Sequence, residues 1–304
     1  MLNGEGSAYG FRLHSAYPLR FLRQGGGVEL LHVAPAAAQP QAPQGAPVFA
    51  WTYQVRGQDA QARLYGSDDR FELHTSGGAA WQIDPGSRTV RIANPEDERF
   101  WEPGLWGIPA LLCFMQRGDL PLHAAAIEVN GEAVLLGAPG RSGKTTLALA
   151  FHRHGYRLLT EDLACCRLTP GPVLLPGPAF LRVRPDMYDG AAPAGTHVVA
   201  TRTDRIYLGV NEACRGTGEP VPISTIVFLR ECDSGVRLER MTAQRALSGL
   251  WPLSFRLPTR AAQARCLRQL SALVGTVPVW TLHRPLQRGS LDATVAGILE
   301  VCGA

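Results

Sequence analysis

The stretch Gly137-Ala-Pro-Gly-Arg-Ser-Gly-Lys-Thr-Thr constrains this chain more than any other. From Ala138 to Thr145 it fits the relaxed phosphate-binding pattern A/G-x-x-x-x-G-K-S/T, which works as a turn between a strand and a helix. Its glycines let successive N–H groups face one anion, and the helix that follows adds the positive end of its dipole. Both flanks are present: Glu132-Ala-Val-Leu-Leu-Gly reads as an apolar strand, and Thr145 to His154 as a helix that Gly155 ends. An α/β fold is therefore expected. Lys144 is the one lysine in the chain, and every other member of the thirty Lys and Arg residues is arginine. In so arginine-biased a sequence, the ammonium survives where a planar guanidinium is a poor substitute. On this reading Pro139, Gly140, Arg141, Ser142, Gly143, Lys144, Thr145 and Thr146 bind a nucleoside triphosphate. Lys144 reaches its β- and γ-phosphates, and Thr145 offers a hydroxyl to Mg²⁺.

Composition narrows the class. With 304 residues, 45% hydrophobic and 18% charged, the chain can bury a large core, and global disorder is excluded. No apolar run reaches the roughly 18 residues of a membrane span. The N-terminus lacks the basic and apolar blocks of a signal peptide. A net charge of +4 comes without a dense basic block, so neither nucleic acid nor membrane is expected as a partner. Seven scattered cysteines form no CxxC pair, which suggests reduced thiols and a cytoplasmic protein.

Residues 1–104 read as a β-rich N-terminal domain. Ala50-Trp-Thr-Tyr-Gln-Val-Arg and Arg70-Phe-Glu-Leu-His-Thr alternate apolar with polar, and Pro85-Gly86 turns between Trp81-Gln-Ile-Asp and Thr89-Val-Arg-Ile. From Ala34 to Pro47 the chain is nearly all Ala, Pro, Gln and Gly, and is expected as a mobile loop. Residues 105–304 read as the catalytic domain. A buried helix starts near Pro109, and Asn130-Gly131 turns a hairpin whose second strand feeds the phosphate loop. Further strands are expected at Tyr156–Thr160, Arg205–Val210, Ile223–Leu229 and Val277–Leu282, with helices at Ala261–Leu273 and Leu291–Cys302.

Glu161-Asp162 follows the strand after the loop helix. If that strand and the loop strand are parallel neighbours, both carboxylates emerge beside the phosphates, one for Mg²⁺ and one to accept a proton. His123 opens the strand that pairs with the loop strand, within reach of the phosphates. Arg182, Arg184, Arg202 and Arg205 are candidates for stabilising phosphoryl charge. Cys165-Cys166 reads as strand packing.

Together, Leu122-His-Ala-Ala-Ala-Ile-Glu-Val-Asn-Gly, the phosphate loop and Gly155-Tyr-Arg-Leu-Leu-Thr-Glu-Asp resemble the catalytic domain of HPr kinase/phosphorylase across about residues 120 to 170. The resemblance implies a P-loop kinase domain of the HPr kinase/PEP carboxykinase-like type, with ATP and Mg²⁺ as cofactors. It implies Glu161 as general base, Asp162 beside the metal with Thr145, and His123 and Lys144 among the catalytic residues. It also implies assembly into a homo-oligomer. Three positions depart from the family: Ala138 stands for the first glycine, Glu161 for an aspartate and Thr145 for a serine. The family's phosphorylase signature is not recognisable. The opening Ala8-Tyr-Gly-Phe-Arg-Leu-His-Ser-Ala-Tyr-Pro-Leu is similar to a divergent branch that phosphorylates a serine of precursor peptides, including those of lasso peptides. The expected function is transfer of the ATP γ-phosphoryl group to a Ser or Thr hydroxyl on a ribosomally made precursor peptide. The alternatives are a small-molecule kinase and a non-catalytic ATP-binding regulator.

Overall fold

Alternation decides the first third of the chain. In Arg70–Thr75 and Thr89–Ala93 every second side chain is apolar, and in a computed structural model of the protein these segments are strands with Phe71, Leu73, Val90 and Ile92 buried. The structure describes residues 6–37, 40, 41, 43–55, 58–67, 69–94, 101–140, 142–188 and 190–303. Among the described residues nine strands form the first sheet. They are β1 (Gly6–Ala8), β2 (Phe11–Ser15), β3 (Arg23–Gln24), β4 (Glu29–Pro35), β5 (Phe49–Val55), β6 (Gln58–Ser67), β7 (Arg70–Thr75), β8 (Ala80–Asp84) and β9 (Thr89–Ala93). Their order is β3-β1-β2-β4-β9-β8-β7-β6-β5, which leaves β5 on an edge. The Ala34–Pro47 stretch, expected as a loop, begins by completing β4, and the Ala36 amide still donates to the Ile92 carbonyl at 2.8 Å. Residues 38, 39 and 42 of that stretch lie outside the described residues.

Two helices close the apolar face of this sheet, α1 (Trp101–Leu105) and α2 (Ile108–Gln116), the second with Pro109 in its first turn. Trp101, Leu105, Trp106 and Phe114 pack in one core with Trp81, Ile83 and Ile92. Within this core Glu102 is buried. Its carboxylate accepts from the amides of Arg20 (2.7 Å) and Phe21 (3.1 Å) and from the Trp106 indole (3.2 Å).

The second sheet carries the phosphate loop. It contains β10 (Leu120–Leu122), β11 (Ala124–Val129), β12 (Glu132–Gly137), β13 (Arg157–Thr160), β14 (Ala164–Arg167) and β15 (Val173–Leu175). A small sheet beside it contains β16 (Phe180–Val183), β17 (Thr196–Thr201) and β18 (Ile206–Val210). The second sheet is completed by β19 (Val221–Glu231), β20 (Arg237–Arg240) and β21 (Val279–Arg284). Asn130 and Gly131 have φ of 53° and 78°, the left-handed pair that a two-residue hairpin turn between Val129 and Glu132 requires. β12 runs parallel to β19, and β19 parallel to β21. β13 is parallel to β12 but not its neighbour, because β11 lies between them and pairs antiparallel with both. The direct pairing expected from the sequence is thus replaced by a hairpin strand inserted in the middle. The carboxyl ends of β12, β13, β19 and β21 still share one sheet edge, the usual place for ligands in such sheets.

Both faces of this sheet are covered, so its strands are apolar without alternation. On one face α3 (Lys144–Arg153) and α7 (Leu291–Val301) pack Leu147, Phe151, Val295 and Ile298 against Ile127, Val134 and Leu158. Between them in the chain lies the short α4 (Glu212–Arg215). On the other face α5 (Ala243–Leu250) and α6 (Arg260–Thr276) pack Leu250 and Leu270 against Ala126, Leu135 and Leu159. Cys165 and Cys166 are fully buried in β14, as the packing reading expects. No helix among the described residues is long and apolar enough to cross a membrane.

Burial raises the Glu102 carboxyl from its ordinary 4.5 to about 7 despite three hydrogen bonds. Between those values the folded protein holds the proton more tightly than the unfolded chain. Glu102 therefore favours folding fully below 4.5, and that contribution is lost as pH rises through 7. In urea titrations the wild type should lose about 3 kcal/mol relative to Glu102→Gln between pH 4.5 and 8. A constant difference between the two proteins across that range would refute the assignment.

Candidate active site

The phosphate loop is built by backbone geometry. Gly143 sits in the left-handed region (φ 78°, ψ 22°) at the N-cap of α3, and no side chain caps that helix, so its first amides face the loop. A Cβ at Gly143 would collide with the Arg284 guanidinium, so a side chain is excluded there twice over. A Cβ at Gly140 would meet nothing within 4 Å, and the crest of the loop is open. Pro139 and Thr146 flank this turn as the spacing predicts, while Arg141 lies outside the described residues.

Lys144 is buried, and its Nζ donates to the carbonyls of Ala138 (2.8 Å) and Pro139 (3.2 Å) and meets His123 Nε2 at 2.9 Å. Burial lowers its pKa, against the pull of Asp162 and Glu161. Since Nε2 accepts from the ammonium, the His123 ring proton belongs on Nδ1, which faces Asp162 Oδ1 at 3.5 Å. Burial first, and then the charges of Lys144 and Arg182, lower the His123 pKa below its ordinary 6.5, while Asp162 opposes them. The imidazole is therefore neutral at neutral pH.

The acidic pair leaves β13 directly. Thr145 Oγ1 donates to Glu161 Oε1 at 2.7 Å, so the loop hydroxyl meets Glu161 where the family pattern paired it with Asp162. Arg182, from β16, forks across both acids. Its Nε donates to Glu161 Oε2 at 2.9 Å and its Nη2 to Asp162 Oδ2 at 3.0 Å. Burial dominates at Glu161 and raises its pKa. At Asp162 burial is outweighed by Arg182, His123 and Lys144 together, and the pKa is lowered. Arg182 itself, between two carboxylates, is raised above its ordinary value. Neighbouring acids thus differ: Glu161 is 6% exposed with both oxygens engaged, and the Asp162 side chain is 38% exposed and anionic.

No protein-family model matches the chain, and no curated protein sequence does. Among solved structures the chain is similar to the Hpr(Ser) kinase/phosphatase from Coxiella burnetii, at 12% identity and a TM-score of 0.32, over 60% of this chain and 99% of that one. So loose a superposition carries no function. The site stands on its own geometry.

Of the arginine candidates Arg182 joins the site. Arg184 pairs with Asp186 on the surface, and Arg205 donates to the neighbouring Asp204 carbonyl. Two further arginines support the site without any sequence signal beyond their position. Arg284, at the carboxyl end of β21, is buried and donates to the carbonyls of Ser142 (3.2 Å) and Gly143 (3.4 Å). Arg23 is buried, and among the described residues its hydrogen bonds go to backbone carbonyls. Its guanidinium donates to the carbonyls of Leu158 (2.7 Å), Leu159 (3.1 Å) and Gly177 (2.7 Å), and also to that of Arg215. It thereby ties the first sheet to the strand that delivers Glu161.

Titration followed by NMR should find the His123 imidazole neutral at pH 6.5 with its proton on Nδ1. Asp162→Asn should push its titration lower still, because the carboxylate is what favours the imidazolium. A His123 pKa above 6.5, or one that Asp162→Asn raises, would contradict the arrangement.

Proposed function

We propose that the protein is a magnesium-dependent phosphotransferase that moves the γ-phosphoryl group of ATP to a Ser or Thr hydroxyl. The observation that carries this reading is the meeting, at one sheet edge, of the lysine-bearing loop with an acidic pair of two different characters. A loop of this kind grips phosphates, and phosphoryl transfer then needs mainly positioning and charge neutralisation.

The donor set fits magnesium. The Thr145 hydroxyl and Glu161 carboxylate are hard oxygen ligands 2.7 Å apart, and Mg²⁺ is typically held by one or two such groups together with substrate phosphates. When bound, the ion supplies charge neutralisation at the β- and γ-phosphate oxygens.

The protein's own groups do the rest. Lys144 exchanges part of its grip on loop carbonyls for phosphate oxygens. Asp162, ionised and partly open, accepts the acceptor's hydroxyl proton as the oxygen–phosphorus bond forms and the bond from phosphorus to the β–γ bridging oxygen breaks. The bridging electrons leave with ADP. In this assignment Glu161 is the metal-side acid and Asp162 the proton acceptor, which exchanges the roles that the family resemblance implies. Neutral His123 orients Asp162 through Nδ1–H and holds Lys144 through Nε2.

Two substitutions separate these roles. Asp162→Asn should lower kcat by 10²-fold or more, the scale of a lost general base, with the Kd for Mg·ATP within about threefold of wild type. Glu161→Gln should raise the magnesium concentration needed for half-maximal rate. Calorimetry and magnesium titrations of the rate read both. Loss of transfer in Glu161→Gln with an unchanged magnesium requirement would restore Glu161 as the base. Lys144→Ala should abolish nucleotide binding, and its retention would remove the reading altogether.

A further inference from the structure

Behind the acidic pair lies a cavity of about 470 Å³, within the roughly 300–1,000 Å³ of pockets that hold ligands. Glu161, Asp162 and Arg182 form one wall, and most of the remaining lining is aromatic or aliphatic. Tyr9, Trp106 and Phe180 come from the buried core, whereas Phe255 reaches over from the loop whose Leu253 carbonyl accepts the His123 amide. Such a cavity is poorly suited to the polyanionic nucleotide, which the phosphate loop already serves from the other side of Asp162. Its chemistry is that of an apolar guest with one polar end, the polar end lying at the carboxylates.

The mouth shows what kind of molecule carries that guest. Phe49, Ala50 and Trp51 of β5 line it, and Phe49 and Trp51 are large hydrophobic side chains left 40% and 36% exposed. β5 ends the strand order of the first sheet, and among the described residues no strand pairs with its outer side. An edge strand with exposed aromatics is a hazard unless covered. It is also a template on which an extended peptide adds as a further strand, main-chain hydrogen bonds giving affinity and a pocket selecting one side chain. A free metabolite would use the cavity and leave that edge idle.

We propose that the acceptor is a peptide segment that lies along β5 and places a bulky apolar side chain in this cavity, within two residues of the Ser or Thr whose hydroxyl meets Asp162. The proposal rests on the phosphotransferase reading and adds the acceptor to it. Transfer follows the balance given above, with ATP as phosphoryl donor and ADP and the phosphopeptide as products.

The test uses the full chain with Mg·ATP labelled at the γ-position, and peptide libraries that fix one serine and scan each flanking position. ATP affinity and acceptor-independent ATP hydrolysis are measured alongside, with Lys144→Ala as control. The expected result is Lys144-dependent hydrolysis together with label in peptides carrying Phe, Trp, Leu or Met near the serine, at least tenfold above those with Asp or Gly there. Ala50→Arg, an exposed change that sets a charge at the mouth, should reduce peptide labelling at least tenfold and leave ATP affinity and basal hydrolysis unchanged. Lys144-dependent hydrolysis with no flanking preference, or with label only in small hydroxy compounds, would overturn the cavity proposal and leave the phosphotransferase standing. Absence of Lys144-dependent nucleotide turnover would overturn both.

Discussion

The Arg182 fork is the contact on which the site depends. Two adjacent carboxylates in an apolar wall cannot both stay ionised unaided, since burial and mutual repulsion would drive a proton onto one of them. Arg182 answers both with a planar group whose Nε and Nη2 reach different acids at 2.9 and 3.0 Å. Truncating it would leave buried Glu161 without its cation, the situation in which breaking an ion pair costs several kcal/mol, and half-buried Asp162 with it. Because Arg182 belongs to the small sheet and the acids follow a strand of the large one, the same contact joins the two sheets. Arg23 acts on the same strand through the Leu158 and Leu159 carbonyls. Among the described residues its hydrogen bonds all go to carbonyls, and burial lowers its pKa to about 9. The later part of the strand and the acids that follow it are thereby held by two arginines from elsewhere in the chain.

That clamp divides the site into two compartments with opposite chemistry. On one side the loop, Lys144 and the amino end of α3 present positive potential. On the other the cavity offers apolar surface and a narrow polar end. The Glu161–Asp162 pair faces both: Glu161 touches the loop through Thr145, and both acids line the cavity. In the proposed reaction, a phosphoryl group and its acceptor approaching from the two sides would meet at Asp162.

What the sequence made legible was local. The Asn130-Gly131 turn, the loop, the helix after it and the acidic pair each occupy a few consecutive residues, and their chemistry is written in that order. The placement of β13 beyond β11 was not, because strand order depends on which apolar faces meet in three dimensions and all these strands are apolar on both faces. Arg182 was visible as one of several arginines, but only its pairing across two sheets distinguishes it from Arg184, which turns to Asp186 on the surface. Arg23 and Arg284 gave no signal, since their partners are backbone carbonyls, which no sequence pattern marks. The cavity was equally hidden. Tyr9, Trp51, Trp106, Asp162 and Phe255 come from five separate segments, and no periodicity links them.

The lone lysine ties these observations together. Arginine serves this chain wherever a flat fork can spread over several acceptors, as Arg23 does over four carbonyls and Arg182 over two acids. At position 144 the acceptors surround a point. Two loop carbonyls and an imidazole nitrogen converge within 2.8 to 3.2 Å of one atom, beside a wall of buried side chains. A guanidinium cannot present three donors from one nitrogen in that geometry, and its bulk would press on the loop that Gly143 already crowds against Arg284. Burial also gives the ammonium a readiness to exchange these neutral acceptors for anionic ones, since phosphate oxygens repay more of its lost hydration than carbonyls do. The one position at which this arginine-biased sequence keeps a lysine is thus the one whose shape and charge the loop cannot spare.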